Sequence, residues 1–230
     1  MNDTSSLARL RLSDFKLIAF DMDSTLIDIE TVDEIAEIAG CGLEVAAITE
    51  ATMRGEITDY KESLRRRVAL LRGVPLTALQ TVYDQRLRLN PGAQTLIDAC
   101  RRAGLRVILL SGGFTFFTDR LRERLKLDDT RSNVLEIEDG RLTGRMLAQP
   151  WGDICDGEAK QHKLLECCRA MGISPAQAIA VGDGANDLPM MRVAGLSVAY
   201  RAKPKVREQA MVAIDEGGLD RLLDLLRVDA

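Results

Sequence analysis

A single histidine, His162, serves the whole 230-residue chain, and the five cysteines (Cys41, Cys100, Cys155, Cys167 and Cys168) are odd in number and show no CxxC spacing. A zinc site needs a cluster of those two residue types, so none is expected. The thiols read instead as buried, reduced side chains of a cytosolic protein. Long apolar runs are missing as well. Nothing approaches the roughly 20 consecutive apolar residues that cross a bilayer, and the N-terminal "MNDTSSLARLRLSDF" has no continuous apolar segment of the signal-peptide kind. A cytoplasmic location without a membrane partner is expected. An excess of positive charge is also absent: the net charge of -4 gives no general attraction for nucleic acid. Without a GxxxxGK[ST] stretch, a P-loop nucleotidase is disfavoured. Internal repeats and low-complexity segments do not occur. What remains, 46% hydrophobic and 29% charged residues, suffices for one sizeable core and a small second unit.

Short β-rich apolar runs recur at 17–20, 107–110, 178–181, 196–199 and 212–214, with helix-like segments such as 93–103 and 158–171 between them. Strands alternating with helices predict an α/β fold on a doubly wound parallel sheet. Several runs end in polar or glycine-rich stretches, "DMDST", "SGGF" and "GDGAND", which read as loops. Ligands of open parallel sheets sit beyond the carboxyl ends of the strands, so these three loops are expected to converge on one site. Between about Asp28 and Leu89 the alternation gives way to helical spacing, as in "VDEIAEIAG" and "SLRRRVALLRGV". Turn signals stand at Gly40 to Gly42, Gly55 and Gly73 to Pro75, and the segment closes at Asn90-Pro91-Gly92. The expected organisation is a core of 1–28 and 90–230 with a small helical insertion, 29–89, over the strand ends.

Asp21 and Asp23 lie two apart after an apolar run, a spacing that points both carboxylates into one space at the mouth of the sheet. A divalent cation relieves their repulsion, and magnesium, which prefers oxygen ligands, suits a site poor in histidine and clustered cysteine. Taken alone, the pair is also what a turn and helix N-cap look like. "VGDGANDLPMM" adds Asp183 and Asp187, with Gly182 and Gly184 allowing backbone to approach an ion or phosphate. "LLSGGF" adds the hydroxyl of Ser111 and the amides of Gly112 and Gly113 as receivers of phosphate oxygens. Lys160, Lys163 and His162 read singly as solvated helix residues. The joint occurrence of these stretches at strand ends, in this order, is what carries information.

The set "DMDST", "SGG", "AK" and "GDGAND" resembles the four signatures of the haloacid dehalogenase-like phosphatases, and "FDMDSTLIDIETVDEIAEIAG" is similar to the phosphoserine phosphatase subgroup in particular. The resemblance runs from about Leu17 to Pro204. It implies a Rossmann-like core with a helical cap after the first strand, and Mg²⁺-dependent hydrolysis of a small phosphate ester, phosphoserine, in serine biosynthesis. Asp21 then corresponds to the nucleophile that becomes an aspartyl-phosphate, and Asp23 to the general acid and base. Asp21, the main-chain carbonyl of Asp23 and Asp183 correspond to the metal ligands, with Asp187 supporting through water, and Gly113 supports the site through its amide. Ser111, Gly112 and Lys160 would surround the phosphoryl group and Asn186 would assist substrate binding. Glu30, nine residues after the nucleophile, would meet the substrate ammonium. Arg67 would take the carboxylate bidentately, although Arg65 and Arg66 stand beside it and register alone selects it. Met53 and Tyr60 resemble the apolar lining of that pocket, in a stretch, "GEITDYKES", one residue longer than the usual pattern. Trp151 in "LAQPWGDICDG" matches no family expectation. The subgroup's N-terminal regulatory domain is expected to be absent, with about 16 residues before the first strand. A monomer or homodimer is expected. A phosphotransferase passing the phosphoryl group to an alcohol such as homoserine shares all the chemical motifs. A phosphoacceptor signalling domain gains nothing from Asp23.

Overall fold

The computed structural model describes residues 10–226. Seven strands, β1 (Leu17–Phe20), β2 (Arg106–Phe114), β3 (Asp129–Glu138), β4 (Arg141–Leu147), β5 (Ala178–Gly182), β6 (Leu196–Tyr200) and β7 (Val212–Ile214), form one sheet in the order β4-β3-β2-β1-β5-β6-β7. All neighbours are parallel except the antiparallel pair β3 and β4. Four buried apolar residues in a row make β1 a strand that must be covered on both faces, and it occupies the middle of the sheet. Alternate side chains go to opposite layers. Ile18 and Phe20 join Val107, Leu109, Ile179 and Val181 on one face, while Leu17 and Ala19 join Ile108, Leu110, Ala178 and Ala180 on the other.

Between β1 and β2 lie α1 (Thr31–Ala39), α2 (Gly42–Met53), α3 (Tyr60–Leu70) and α4 (Leu76–Thr81), followed by α5 (Ala93–Arg102). The remaining helices are α6 (Thr115–Leu125), α7 (Gly157–Met171), α8 (Leu188–Val193), α9 (Pro204–Arg207) and α10 (Arg221–Leu225). The helical segment leaves and rejoins the sheet through two strands of chain clamped together. Asp28 N donates to Arg88 O at 3.0 Å, and the Asn90 side chain donates to the carbonyls of Thr25 and Ile27, both at 2.9 Å. Among the described residues no helix is long and apolar enough to cross a membrane. Four of the thiols are buried and Cys41 is only half-buried, and all five are free.

Two local expectations need correction. The strands β3 and β4 were not among the apolar runs, because as an edge pair they carry mixed polar faces. Their turn held the available signal: Asp139 and Gly140 are both left-handed, at φ 49° and 73°, the backbone that an Asp-Gly hairpin prefers. The hairpin matters beyond the sheet, since the α3–α4 connection rests on it, with Gly73 N on Leu142 O at 2.7 Å and Leu142 N on Val74 O at 2.9 Å. Second, "SGGF" is no loop. It continues β2 with a register irregularity between Leu110 and Phe114, because β3 runs alongside and pairs Phe114 with Asn133. Gly182 and Gly184 make room for neighbouring side chains. A Cβ on Gly182 would overlap the Asp187 carboxylate, and one on Gly184 the Asn186 side chain.

Candidate active site

Sheet register assembles the centre. Phe20 stands between Leu109 and Val181, so Asp21 follows one step on, with Ser111 and Asp183 two steps beyond its neighbours. The Asp21 amide donates to Val181 O at 2.9 Å and fixes the residue at the strand end. From β1 the chain works outward on one side and returns on the other at β5, so the loops after these two strands part and leave a crevice.

Lys160 enters that crevice from the first turn of α7, whose start is capped by Asp156 accepting from Ala159 N at 2.9 Å. Its side chain is fully buried and donates to Asp21 Oδ1 at 2.6 Å and Asp187 Oδ1 at 2.7 Å. The other Asp187 oxygen accepts from the amides of Asp183 (3.1 Å) and Gly184 (3.0 Å). Three donors thereby hold the Asp187 carboxylate in place. Asp183 Oδ1 accepts from Thr25 Oγ1 at 3.1 Å. Asp21, Asp183 and Asp187 each offer a carboxylate oxygen within 4.8 Å of the others, and all three residues are buried. Such an oxygen-only donor set suits a hard divalent cation.

The electrostatics express the same crowding. Burial raises the Asp21 carboxyl well above its usual range, Asp187 and Asp183 add to it, and Lys160 opposes. Asp183 is pushed up to about 6 by burial and then by Asp187 and Glu30. Burial alone would lower the Lys160 ammonium, but Asp187 and Asp21 hold it well above its ordinary value. Three acids around one lysine leave negative charge in excess, which a cation reverses.

The two aspartates of "DMDST" face different partners. After Asp21 the chain turns through Met22–Leu26, with Ser24 left-handed at φ 55°. Half-buried Asp23 accepts from Thr31 through both oxygens, from N to Oδ1 and from Oγ1 to Oδ2, each at 3.2 Å. Burial and then Glu30 raise its carboxyl well above the usual range, against those hydrogen bonds. Glu30 itself is exposed and accepts from Ser24 Oγ at 2.7 Å. On the β2 side, Gly113 N donates to Ser111 Oγ at 2.8 Å, which leaves the serine's own proton free to donate. Asn133 ties this strand end down, donating to Gly112 O and accepting from Cys155 N, both at 2.8 Å.

Tyr60 and Arg67, seven residues apart on α3, share a helix face. The Tyr60 hydroxyl lies so close to Gly112 that a Cβ there would overlap it, and burial raises the phenol while the charges of Lys160, Arg67 and Asp21 act on it. Arg65 ion-pairs with Asp153, and Arg66 with Glu62 at 2.7 Å. Arg67 does neither: its Nε is buried without a partner among the described residues. Asn186 is half-buried in the 3-10 turn Ala185–Asp187 that precedes α8, and His162 is exposed on α7. Met53 ends α2, and its side chain lies outside the described residues. Trp151 stacks under the Arg131 guanidinium, 5.0 Å from the ring centre. Sequence reasoning passed over Thr25, Thr31 and Asn133, whose only local signal is a polar side chain beside a motif or within a strand.

A profile of the haloacid dehalogenase-like hydrolases matches residues 18–192. The chain belongs to that family. Within the family, the phosphoserine phosphatase of Polaromonas sp. (strain JS666) is 73% identical over 218 residues, which is 95% of this chain and 92% of the relative. A solved phospho-aspartyl intermediate analogue of phosphoserine phosphatase superposes with a TM-score of 0.85 at 37% identity, covering 93% of this chain and 99% of the other. A substrate-bound phosphoserine phosphatase structure matches with the same score, identity and coverage.

Proposed function

We propose that this chain is a Mg²⁺-dependent phosphoserine phosphatase, hydrolysing O-phospho-L-serine to L-serine and phosphate through an aspartyl-phosphate on Asp21. The observation that carries this reading is the fully buried Lys160, bonded to Asp21 and Asp187 with Asp183 beside them. The kinship with phosphoserine phosphatases along nearly the whole chain supports the choice of substrate.

Asp21 attacks phosphorus, the bond to the serine oxygen breaks, and Asp23 gives that oxygen its proton. Water then attacks the aspartyl-phosphate, passes a proton to Asp23 and frees Asp21. The raised carboxyl of Asp23 keeps the proton needed for the first step, and acid and base work of this kind is worth about 10²- to 10⁴-fold. Lys160, the Ser111 hydroxyl and the Gly112 amide meet the equatorial oxygens. Mg²⁺, which Asp21, Asp183 and the Asp23 carbonyl would hold, supplies Lewis-acid charge to those oxygens when bound. Residues 29–89 form the cap: Glu30 takes the ammonium, Arg67 the carboxylate, Met53 and Tyr60 line the space between, and Asn186 assists.

Chelation stops turnover and added Mg²⁺ restores it. Proton and cation compete for Asp183, whose carboxyl titrates near 6. Asp21, the other carboxylate that would hold the ion, is raised as well, so apparent Mg²⁺ affinity falls as the pH falls, by at least about tenfold per unit below that value. Mg²⁺ titrations on either side of pH 6 check this, and a pH-independent affinity would contradict it. A panel of L- and D-phosphoserine, phosphothreonine and sugar phosphates tests the substrate. In it, Arg67→Ala raises KM for phosphoserine about 10- to 100-fold while barely changing it for an ester without a carboxylate. Equal effects on both would remove Arg67 from the pocket. Homoserine added to the assay yields little phosphohomoserine; abundant transfer product would replace the hydrolase with a phosphotransferase.

A further inference from the structure

Two buried side-chain atoms among the described residues have no hydrogen-bond partner: Nε of Arg67 and Oδ1 of Asp33. They sit on neighbouring helices, α3 and α1. A buried donor or acceptor left unpaired costs about 1–3 kcal/mol. Here one of each persists within mutual electrostatic reach, since Arg67 and Glu30 both act on the Asp33 carboxyl. A donor and an acceptor that do not satisfy each other fit a ligand carrying both complements. An amino-acid head group does so, its carboxylate for the guanidinium and its ammonium for the acid.

Glu30 alone is a thin receiver for an ammonium with three N–H groups. It is exposed, and one of its oxygens already accepts from Ser24. Asp33 stands three residues on, in the first turn of α1 just past the Glu30 cap position, half-buried, with a free acceptor and within electrostatic reach of Glu30. We propose that Asp33 is a specificity residue that accepts from the substrate ammonium through Oδ1, jointly with Glu30. This rests on the phosphoserine reading of the site.

The test is Asp33→Asn, which keeps the volume and removes the charge, assayed with three esters: phosphoserine, phosphoethanolamine (ammonium, no carboxylate) and 3-phosphooxypropionate (carboxylate, no ammonium). The expected result is a fall in kcat/KM of about 10- to 100-fold for the two ammonium esters, carried by KM, with the third unchanged. Asp33→Glu, which keeps the charge, recovers part of that loss. A loss confined to the two carboxylate esters would instead make Asp33 a tether for Arg67. A uniform loss on all three would make its role structural, and no loss on any would leave it without one. Each of these three overturns the proposal. Failure of the phosphoserine reading shows separately, in the unmodified protein, as indifference to the ammonium, and would remove the role of Asp33 with it.

Discussion

Asp21→Asn abolishes phosphate release, by on the order of 10⁴-fold or more, and leaves the protein folded. The carboxamide has no anionic oxygen to attack phosphorus, so the covalent step is lost outright. Its oxygen still accepts from Lys160, which also keeps its bond to Asp187 at 2.7 Å. The substitution removes one of three crowded carboxylates, and the Asp21 and Asp183 carboxyls are raised by burial first and then by their neighbours' charge. Stability is therefore expected to hold. Phosphate release together with a thermal melt checks both halves, and retention of a tenth of the activity in a folded variant would refute Asp21 as nucleophile.

Lys160→Met does the opposite: it damages the fold and the chemistry together. The methylene stem keeps its packing, but Asp21 and Asp187 lose their counter-charge in a fully buried place. Breaking a buried pair by removing one partner costs about 3–5 kcal/mol. The loss depends on pH in a definite direction. Carboxyls raised above their unfolded values favour the folded state only while protonated. The stability they lend is complete below the unfolded value and disappears as pH rises through the folded one, about 6 for Asp183 and well above the usual range for Asp21. The variant is thus more stable in mild acid than at neutral pH, and Mg²⁺ recovers part of the neutral loss by mass action. Turnover falls by about 10²- to 10³-fold, the usual result of removing one fixed donor to the developing charge. Denaturation at both pH values, with and without Mg²⁺, decides the matter. An unchanged neutral stability would show that Lys160 is not the counter-charge of this cluster.

How much of this was legible beforehand follows the range of each interaction. Local periodicity was enough for β1, since four buried apolar residues followed by "DMDST" have few other uses, and for the helical character of 29–89. It failed for β3 and β4, whose edge position gives a mixed pattern, and for "SGGF", which is extended only because Asn133 and its strand lie alongside. Three arginines in a row could be ranked only by register. The fold ranks them by physics: Arg65 and Arg66 are spent on ion pairs, and Arg67 is left with a buried, unanswered donor. Asp33 had no signal at all, because a carboxylate on a helix is ordinary until its surroundings take water and partner from one of its oxygens.

By itself, then, the amino-acid order determined which residues carry chemistry and that they fall at strand ends, because hydrophobic spacing and short motifs are properties of neighbouring positions. Tertiary structure alone decided which of them meet. Asp21 and Lys160, 139 positions apart, come within 2.6 Å of each other only through sheet register and the reversal of strand order at β1. That proximity, with the burial that accompanies it, converts ordinary acids and a lysine into a charged cluster able to hold an ion and a phosphoryl group.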